Sequence, residues 1–415
     1  MNTQQYLDEM QDVQKTLLDF LENETDIFQN LITKLNDLKI IDDEYKFKSF
    51  LYLLSEIINH RHSDSAIFDK AKLLLRHFQK DIKKNYLNFD IFNIFHKNKR
   101  ILLFLLNEKM IIIDQHIAEK MTKINERYNY IDFFRPELEP FVDPKYYRGS
   151  RTYKRSYFME LRETGENENT ICKLIREDMI EDFIKYVNEG HCDLNRQIYS
   201  SMFETNSFLI EQEINKSEWP SLINYSAFFG SIKIFDYLRK NGANLKPSIL
   251  PYAIYGQNQE IIFNLEQEGF KFDVTNKEID YKELILESIK CHNIEMTKFL
   301  LDNYDPSKEE DKNTHTHDNE SEEDSLINNS LEFRVLIQSL ENYNFAFIRN
   351  ELLNNDSFRY LCKYGHSTIV DLLLKNKDID IDINKQKKNG CLLNETALYL
   401  AIDNQKTDTV KLLLA

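Results

Sequence analysis

The stretch Tyr364–Asn376, YGHSTIVDLLLKN, combines the turn signal Gly365-His366 with an apolar helix that ends in three leucines. Glycine suits this position because it adopts the positive φ angle that a tight turn after a helix needs. The leucine triplet gives the second helix a face that its own hairpin cannot bury. This segment therefore predicts a helical hairpin that is stable only when it is stacked on similar hairpins.

Similar hairpins are recognisable on both sides of this segment. In the clearest one, Gly230-Ser231 separates two apolar helical segments and Gly242 follows the second. Six of the nine glycines lie between paired helices or after second helices, where a positive φ angle is expected: Gly190, Gly230, Gly242, Gly256, Gly269 and Gly365. Besides the opening segment, the expected units are 221–245, 248–273, 284–301, 331–353 and 396–414.

These hairpins resemble ankyrin repeats, in which TPLHxAA introduces the first helix, GH forms the turn and GADVN follows the second helix. SLINYSA (221–227) and GANL (242–245) match the first and last of these elements. The segments 175–190, 201–213 and 222–248 also look like a domain of unknown function that large protist families carry beside ankyrin repeats. Residues 93–114 resemble the leader of the same proteins. The resemblance implies an all-α interaction protein: a helical-hairpin solenoid of degenerate and regular ankyrin repeats, preceded by an N-terminal helical domain.

Apolar periodicity, prolines and charge divide the chain. Apolar residues recur every three or four positions through the first part, which predicts helices with one buried face. The acidic, polar stretch after Tyr304 has too few apolar groups to offset its ordering entropy. The expected divisions are an N-terminal helical domain (1–134), a linker (135–168), the domain of unknown function with degenerate repeats (169–304), an acidic disordered loop (305–330) and ankyrin repeats (331–415), the last one incomplete. Hairpin-like spacing upstream favours one continuous helical solenoid; a separate N-terminal bundle is the alternative.

The charge and the cysteines limit the classes of partner. The net charge of −16 disfavours nucleic acid and anionic membranes, which need a basic face. No apolar run is long enough to span a bilayer. Five scattered cysteines without a CxxC motif are typical of reduced thiols in a cytoplasmic protein. The basic, tyrosine-containing stretch 145–158 fits a solvated linker better than an RNA-binding patch.

Aromatic residues provide the candidate binding site. In ankyrin units the corresponding positions face the concave groove, where aromatic side chains are favoured anchors. The hypothesis is a groove that binds a segment of a partner protein; packing against neighbouring helices is an equally weighted alternative. The candidate residues are Tyr225, Phe228, Phe229, Tyr252, Tyr255, Tyr360 and Tyr364.

No motif in the chain indicates catalysis, a metal centre or a cofactor. Phosphate-binding loops, HExxH and GxSxG are absent from the sequence. His315 and His317 lie in the acidic stretch, and Asp378, Asp380 and Asp382 lack the glycine and distal glutamate of a calcium loop. We therefore expect a non-enzymatic protein-interaction scaffold of undetermined oligomeric state. The alternative is an effector, or an enzyme with an unrecognised activity in the N-terminal helical domain.

Overall fold

A computed structural model gives the structure of the protein. It describes residues 1–23, 27–61, 65–124, 130–147, 155–190, 192–199, 201–210, 219–270, 280–304, 330–376, 379–385, 387–388 and 394–415. The chain forms two compact units. Unit 1 comprises Met1–Glu56 and Asp273–Ala415, and unit 2 comprises Ile57–Phe272.

The described residues are mostly helical, which confirms the predicted all-α fold class. The helices up to unit 2's last pair are α1 (Thr3–Glu22), α2 (Phe28–Asp37), α3 (Glu44–His60), α4 (Ser65–His77), α5 (Gln79–Asn85), α6 (Asn88–Phe95), α7 (Lys99–Asn107), α8 (Gln115–Lys123), α9 (Tyr130–Phe133), α10 (Arg135–Leu138), α11 (Arg155–Thr164), α12 (Thr170–Arg176), α13 (Ile180–Gly190), α14 (Leu222–Phe228), α15 (Ile232–Lys240), α16 (Ile249–Gly256) and α17 (Gln259–Gln267). The remaining helices are α18 (Tyr281–Lys290), α19 (Ile294–Asp302), α20 (Leu331–Glu341), α21 (Asn355–Tyr364), α22 (Ser367–Lys375), α23 (Ala397–Asp403) and α24 (Thr407–Leu414). None of the helices in the described part of the chain has the length and apolar content needed to cross a membrane.

Polar residues set where many of these helices begin. The side chain of Ser221 accepts a hydrogen bond from the main-chain nitrogen of Asn224, and Thr396 accepts one from that of Tyr399. Such caps satisfy main-chain donors that the first helical turn leaves free. The same kind of cap precedes α7, α12, α17, α18, α19, α20 and α21, at Asn98, Asn169, Asn258, Asp280, Asn293, Ser330 and Asn354.

The later helices of unit 2 form three stacked pairs. The first helices α12, α14 and α16 pack in succession, and so do the second helices α13, α15 and α17. An isolated antiparallel bridge between Gln197 and Ser221 lies just before α14. The earlier helices α4–α11 also belong to this unit. The repeated first-to-first and second-to-second packing is that of a helical repeat.

Unit 1 contains a second stack. Its first helices α18, α20, α21 and α23 pack in succession, and α22 packs on α24. After α20, the place of a second helix is taken by two 3₁₀ turns, Phe345–Phe347 and Asn350–Leu352. A short antiparallel ladder, β1 (Lys387–Lys388) with β2 (Asn394–Glu395), precedes α23.

The turn between the helices of each pair has one recurring conformation. A single residue with φ between 48° and 85° follows the first helix, and the next residue or the one after it begins the second helix. Only two of these residues are glycines, because the left-handed conformation is costly for other residues but not forbidden. The positions are Asp178, Gly230, Gln257, His292, Tyr343, Gly365 and Gln405.

Side chains from these turns join successive pairs. In three of the turns, the side chain of the residue after the left-handed position donates a hydrogen bond to a carbonyl oxygen at the end of the preceding first helix. Three such bonds are equivalent: Ser231 Oγ to Ile175 O (2.5 Å), Asn344 Nδ2 to Ile289 O (2.9 Å) and His366 Nε2 to Leu340 O (2.8 Å). Each acceptor lies three residues before the left-handed residue of its own pair, so the pairs are related by a regular structural repeat.

Two of the six glycines do not have the predicted conformation. Gly190 and Gly256 lack the positive φ angle found at Gly230, Gly242, Gly269 and Gly365. At Gly256 the requirement is steric instead, because a Cβ there would lie 1.9 Å from the carbonyl oxygen of Ala227. The neighbouring Gln257 takes the left-handed conformation with φ 52°. Glycine therefore allows α14 and α16 to approach closely at this point.

The N-terminal helix belongs to the stack of unit 1. Helix α1 packs on both 3₁₀ turns and on α22. The buried Gln14 side chain donates to Asn344 Oδ1 at 2.8 Å and accepts from the Ala346 nitrogen at 3.1 Å. It also lies 3.1 Å from His292 Nδ1. The predicted domain 1–134 is thus divided, with residues 1–56 in unit 1 and the rest in unit 2.

The segments predicted to be a linker and an acidic loop differ in how much of them the structure describes. The linker segment 135–168 includes helices α10 and α11 and the 3₁₀ turn Pro144–Tyr146. The acidic segment lies outside the described residues except for Ser330, which caps α20.

Candidate functional site

The predicted aromatic surface in unit 2 is largely enclosed. Four of its five residues are at most 4% exposed, and Phe229 is half-buried. The four are Tyr225, Phe228, Tyr252 and Tyr255. Packing against neighbouring residues, which was the alternative interpretation, is the arrangement in the structure, so these four do not form an exposed surface.

Phe208 covers three of these side chains. Its ring stacks on Phe228 with centroids 5.6 Å apart and on Tyr255 at 4.1 Å, and its edge meets Tyr252 at 5.0 Å. Phe208 itself is 2% exposed. It follows a loop that is anchored by Thr205 Oγ1, which donates to Gly165 O at 2.8 Å. A segment of the chain itself therefore occupies the surface that the sequence assigned to a partner.

Tyr225 has an internal polar partner. Its hydroxyl accepts a hydrogen bond from Arg176 Nη1 at 3.1 Å, and Arg176 also pairs with Glu166 at 2.9 Å. Burial raises the pKa of Tyr225 well above its usual value. The phenol is accordingly neutral and part of the core of unit 2.

The two candidate tyrosines of unit 1 are more accessible. Tyr360 and Tyr364 lie on α21 and are half-buried. The edge of the Tyr360 ring meets Phe333 of α20 with centroids 5.9 Å apart. The Tyr364 hydroxyl donates to Glu341 at 3.4 Å. The first helices α20 and α21 thus share one surface that includes both predicted tyrosines.

Basic residues accompany these tyrosines. Arg359 and Lys363 lie on α21 at a spacing of four residues, and Tyr360 lies three residues before Lys363. Arg334 lies on the neighbouring α20 and is half-buried. We call this set the basic-aromatic face; its members are Arg334, Arg359, Tyr360, Lys363 and Tyr364.

Within the described part of the chain, the three basic residues of this face form no ion pair. Lys363 lies over the Tyr364 ring at 5.2 Å, and Arg359 is 5% exposed with an Nε that has no hydrogen-bond acceptor. Nearby acidic residues are engaged elsewhere: Asp356 pairs with Lys385 at 2.9 Å and Glu332 pairs with Arg349 at 3.3 Å. Glu341 contacts the face through the Tyr364 hydroxyl and forms no ion pair in the described residues, so the three cations outnumber the one nearby carboxylate that is left unpaired.

These basic residues were not predicted from the sequence as part of a site. The four-residue spacing of Arg359 and Lys363 was visible as a pattern. Which acidic residues pair with other cations was not visible, because the ion pairs join separate segments of the chain. The sequence therefore does not show which cations lack an ion pair.

A second aromatic surface, which was not predicted from the sequence, lies beside the Gln197–Ser221 bridge. Tyr199 is 64% exposed and its ring meets the edge of Trp219, with centroids 5.3 Å apart. The carbonyl of Tyr199 accepts a hydrogen bond from Asn167 at 2.9 Å.

One buried lysine has the acidity expected of a catalytic group. Burial lowers the pKa of Lys99 to about 7, partly opposed by the nearby Glu204 carboxylate. The ammonium group is 5.1 Å from the centre of the Phe133 ring and donates to the carbonyl oxygen of Met202 at 2.6 Å. Lys99 is only 1% exposed, so no substrate reaches it in this conformation. Its geometry is that of a structural donor that fixes the segment around Met202.

The other predicted details concern thiols and metal ligands. Cys172, Cys192, Cys291 and Cys362 are free, and all except Cys192 are buried. Among the described residues, no group of three His, Cys, Asp or Glu side chains could hold a metal ion. His315, His317, Asp378, His191 and Cys391 lie outside the described residues. Asp380 and Asp382 belong to a turn in which Asn355 bonds to the main chain of both.

Comparison with known proteins does not add a family to this description. No protein-family model matches the chain, and no curated protein matches it significantly. The structure therefore defines a class, an all-α protein of stacked helical pairs, and the finer assignment rests on the geometry of these pairs and their surfaces.

Proposed function

We propose that this protein is a non-enzymatic interaction scaffold, built as an ankyrin-type helical solenoid, that binds a partner protein. Binding takes place on the surface formed by first helices, chiefly the basic-aromatic face, with a contribution from hairpin tips. We further propose that it acts in the cytoplasm, where the free thiols of its four described cysteines stay reduced.

Several structural features support the ankyrin type of repeat. Each pair has a short first helix and a left-handed turn residue, followed by a second helix or, after α20, by two 3₁₀ turns. Main-chain bridges precede α14 and α23, as a hairpin would in an ankyrin array. The side-chain bonds from one turn to the preceding first helix recur at Ser231, Asn344 and His366.

The observation that carries the binding proposal is the half-buried pair Tyr360 and Tyr364 beside unneutralised cations on one helix. Tyrosine and arginine are the residues most enriched among those that dominate interface energies. Both bury large areas when a partner covers them. Tyr225, Phe228, Tyr252 and Tyr255 are not part of the proposed surface, because the chain already covers them.

Site-specific photo-crosslinking in native cells tests the proposal. A benzophenone amino acid in place of Tyr360 should form adducts with a discrete set of proteins. The matched control places the same group at Phe263, which is 57% exposed on α17 of unit 2. Adducts that are identical at the two positions, or absent at Tyr360, would show that the basic-aromatic face does not bind a partner.

Alanine substitution of Tyr360 gives an independent measurement. A half-buried interface anchor should cost about tenfold or more in partner affinity, which corresponds to about 1.4 kcal/mol. Removal of the same ring at Phe263 should leave partner affinity unchanged. If Tyr360→Ala instead lowers stability and preserves binding, the ring has only a packing role.

A further inference from the structure

The environment of Arg359 is unusual for a charged residue. Its side chain is only 5% exposed, and its Nε has no hydrogen-bond acceptor. The described part of the chain provides no carboxylate for it. Only Nε is an enclosed atom without a partner, and a buried N–H group that lacks an acceptor is costly. A residue kept in this state suggests that its partner comes from another molecule.

The surroundings of Arg359 define what that molecule would present. Lys363 lies one helical turn further along α21, and Arg334 lies on the adjacent α20. Tyr360 follows Arg359, lies three residues before Lys363 and provides a flat apolar surface. About one turn of α21 thus carries a planar guanidinium, an ammonium and an aromatic ring. Guanidinium groups form their strongest hydrogen bonds with planar carboxylates.

We propose that the basic-aromatic face binds an acidic peptide segment, in which an Asp or Glu carboxylate pairs with Arg359. A second carboxylate of the segment lies near Lys363, and an apolar or aromatic side chain packs on Tyr360. This assignment rests on the proposed function and specifies the chemistry of the partner. Charge complementarity selects the occupant, since Asp356 and Glu332 are already paired and leave the cations of the face unneutralised.

A peptide fits this face better than a nucleic acid. Extended polyanions need a long basic track, and the net charge of −16 repels them. The positive charge here is confined to three residues and is bordered by the exposed Glu341. A short segment with a few carboxylates can contact the three basic residues without lying next to Glu341.

The experiment measures binding of a fluorescent peptide to the full chain. The probe is a short peptide with several glutamates around one phenylalanine, and its counterpart has glutamine in place of each glutamate. The variants are Arg359→Met and Lys363→Met, which keep most of the side-chain length but remove the charge. The control is Lys298→Met, an equal change of charge on α19 of the same unit, at a residue whose side chain is 59% exposed and paired with Glu295.

The expected result has three parts. Wild-type protein binds the glutamate peptide more tightly than the glutamine peptide. Arg359→Met weakens binding roughly 10- to 100-fold, as expected for a lost charge-assisted hydrogen bond, and Lys363→Met weakens it severalfold. Lys298→Met leaves binding unchanged. Arg359→Met also keeps or raises the thermal stability, because it removes a buried N–H group that has no acceptor, which a purely structural arginine would not do.

Other outcomes overturn the assignment. Equal affinity for the two peptides, no binding of either, or equal weakening by Lys298→Met excludes an acidic ligand at Arg359. Tighter binding of a single-stranded oligonucleotide, with the same loss in Arg359→Met, assigns the face to nucleic acid instead. If the peptide binds only after the acidic residues of 305–329 are changed to amides, the occupant is the chain's own segment.

The same variants separate this inference from the proposed function. Photo-crosslinked partners at Tyr360 that persist in Arg359→Met would leave the interaction scaffold intact and refute the acidic ligand. If the crosslinker at Tyr360 gives no partner adducts even without the Arg359→Met change, the proposed scaffold function itself is refuted.

Discussion

Phe208→Ala is the substitution that most directly tests the packing of unit 2. The ring is 2% exposed and contacts Phe228, Tyr252 and Tyr255. Burying a phenylalanine contributes about 1.5–3 kcal/mol, and the cavity left by truncation adds to the loss. We therefore expect about 3–5 kcal/mol of destabilisation. For a unit of roughly 200 residues, this lowers the melting temperature by roughly 6–20 °C.

Two measurements check this expectation. Thermal unfolding followed by circular dichroism gives the shift, and native-state hydrogen exchange shows whether the loss is localised. Amides of α16, which carries Tyr252 and Tyr255, should exchange faster in Phe208→Ala, because their cover is removed. Phe263→Ala is the matched control, since that ring is 57% exposed and should change stability by less than about 0.5 kcal/mol.

One result would show that Phe208 does not have this packing role. If Phe208→Ala is as stable as Phe263→Ala and α16 keeps its protection, Phe208 does not cover the aromatic residues. Tyr252 and Tyr255 would then again be candidate residues for contact with a partner.

The other predictions concern backbone packing, thiols and protonation. Gly256→Ala should lower the melting temperature of unit 2, since its Cβ would lie 1.9 Å from a carbonyl oxygen of the preceding pair, whereas Gly190→Ala, with no atom within 4 Å, should not. With Cys391 replaced by serine, a thiol reagent should modify Cys192 first and should spare Cys362, because Cys362 is buried and burial raises its pKa. Burial lowers the pKa of His366 to about 4 from the usual 6.5, so the unfolded state binds the proton more readily. His366 therefore stabilises the fold above about pH 6.5, and this contribution should fall as the pH decreases toward 4, which unfolding of wild type and His366→Gln at several pH values would measure.

Much of the fold was predictable because its signals are local. Apolar spacing places the helices, and polar residues such as Ser221 and Thr396 mark where they begin. The turn at Gly365 was predicted with its positive φ angle. At Gln257 and Tyr343 the same turn is formed without glycine, so the composition of the turn did not reveal it.

The candidate site was less predictable because burial is a property of distant contacts. Tyr225 and Tyr360 occupy comparable positions in the sequence pattern. One is buried and bonded to Arg176, while the other is half-buried beside an unpaired arginine. No local pattern distinguishes them.

The sequence by itself determined the all-α class and the helical-hairpin repeat, because helix periodicity, capping and turn formation depend on residues within a few positions of one another. Only the tertiary structure decided which aromatic surface is covered and which charges lack partners. Phe208 comes from outside the helical pairs that it covers, and the ion pairs Asp356–Lys385 and Glu332–Arg349 join segments 29 and 17 residues apart. Side-chain burial and charge neutralisation depend on such non-local contacts, which form only when the chain has folded.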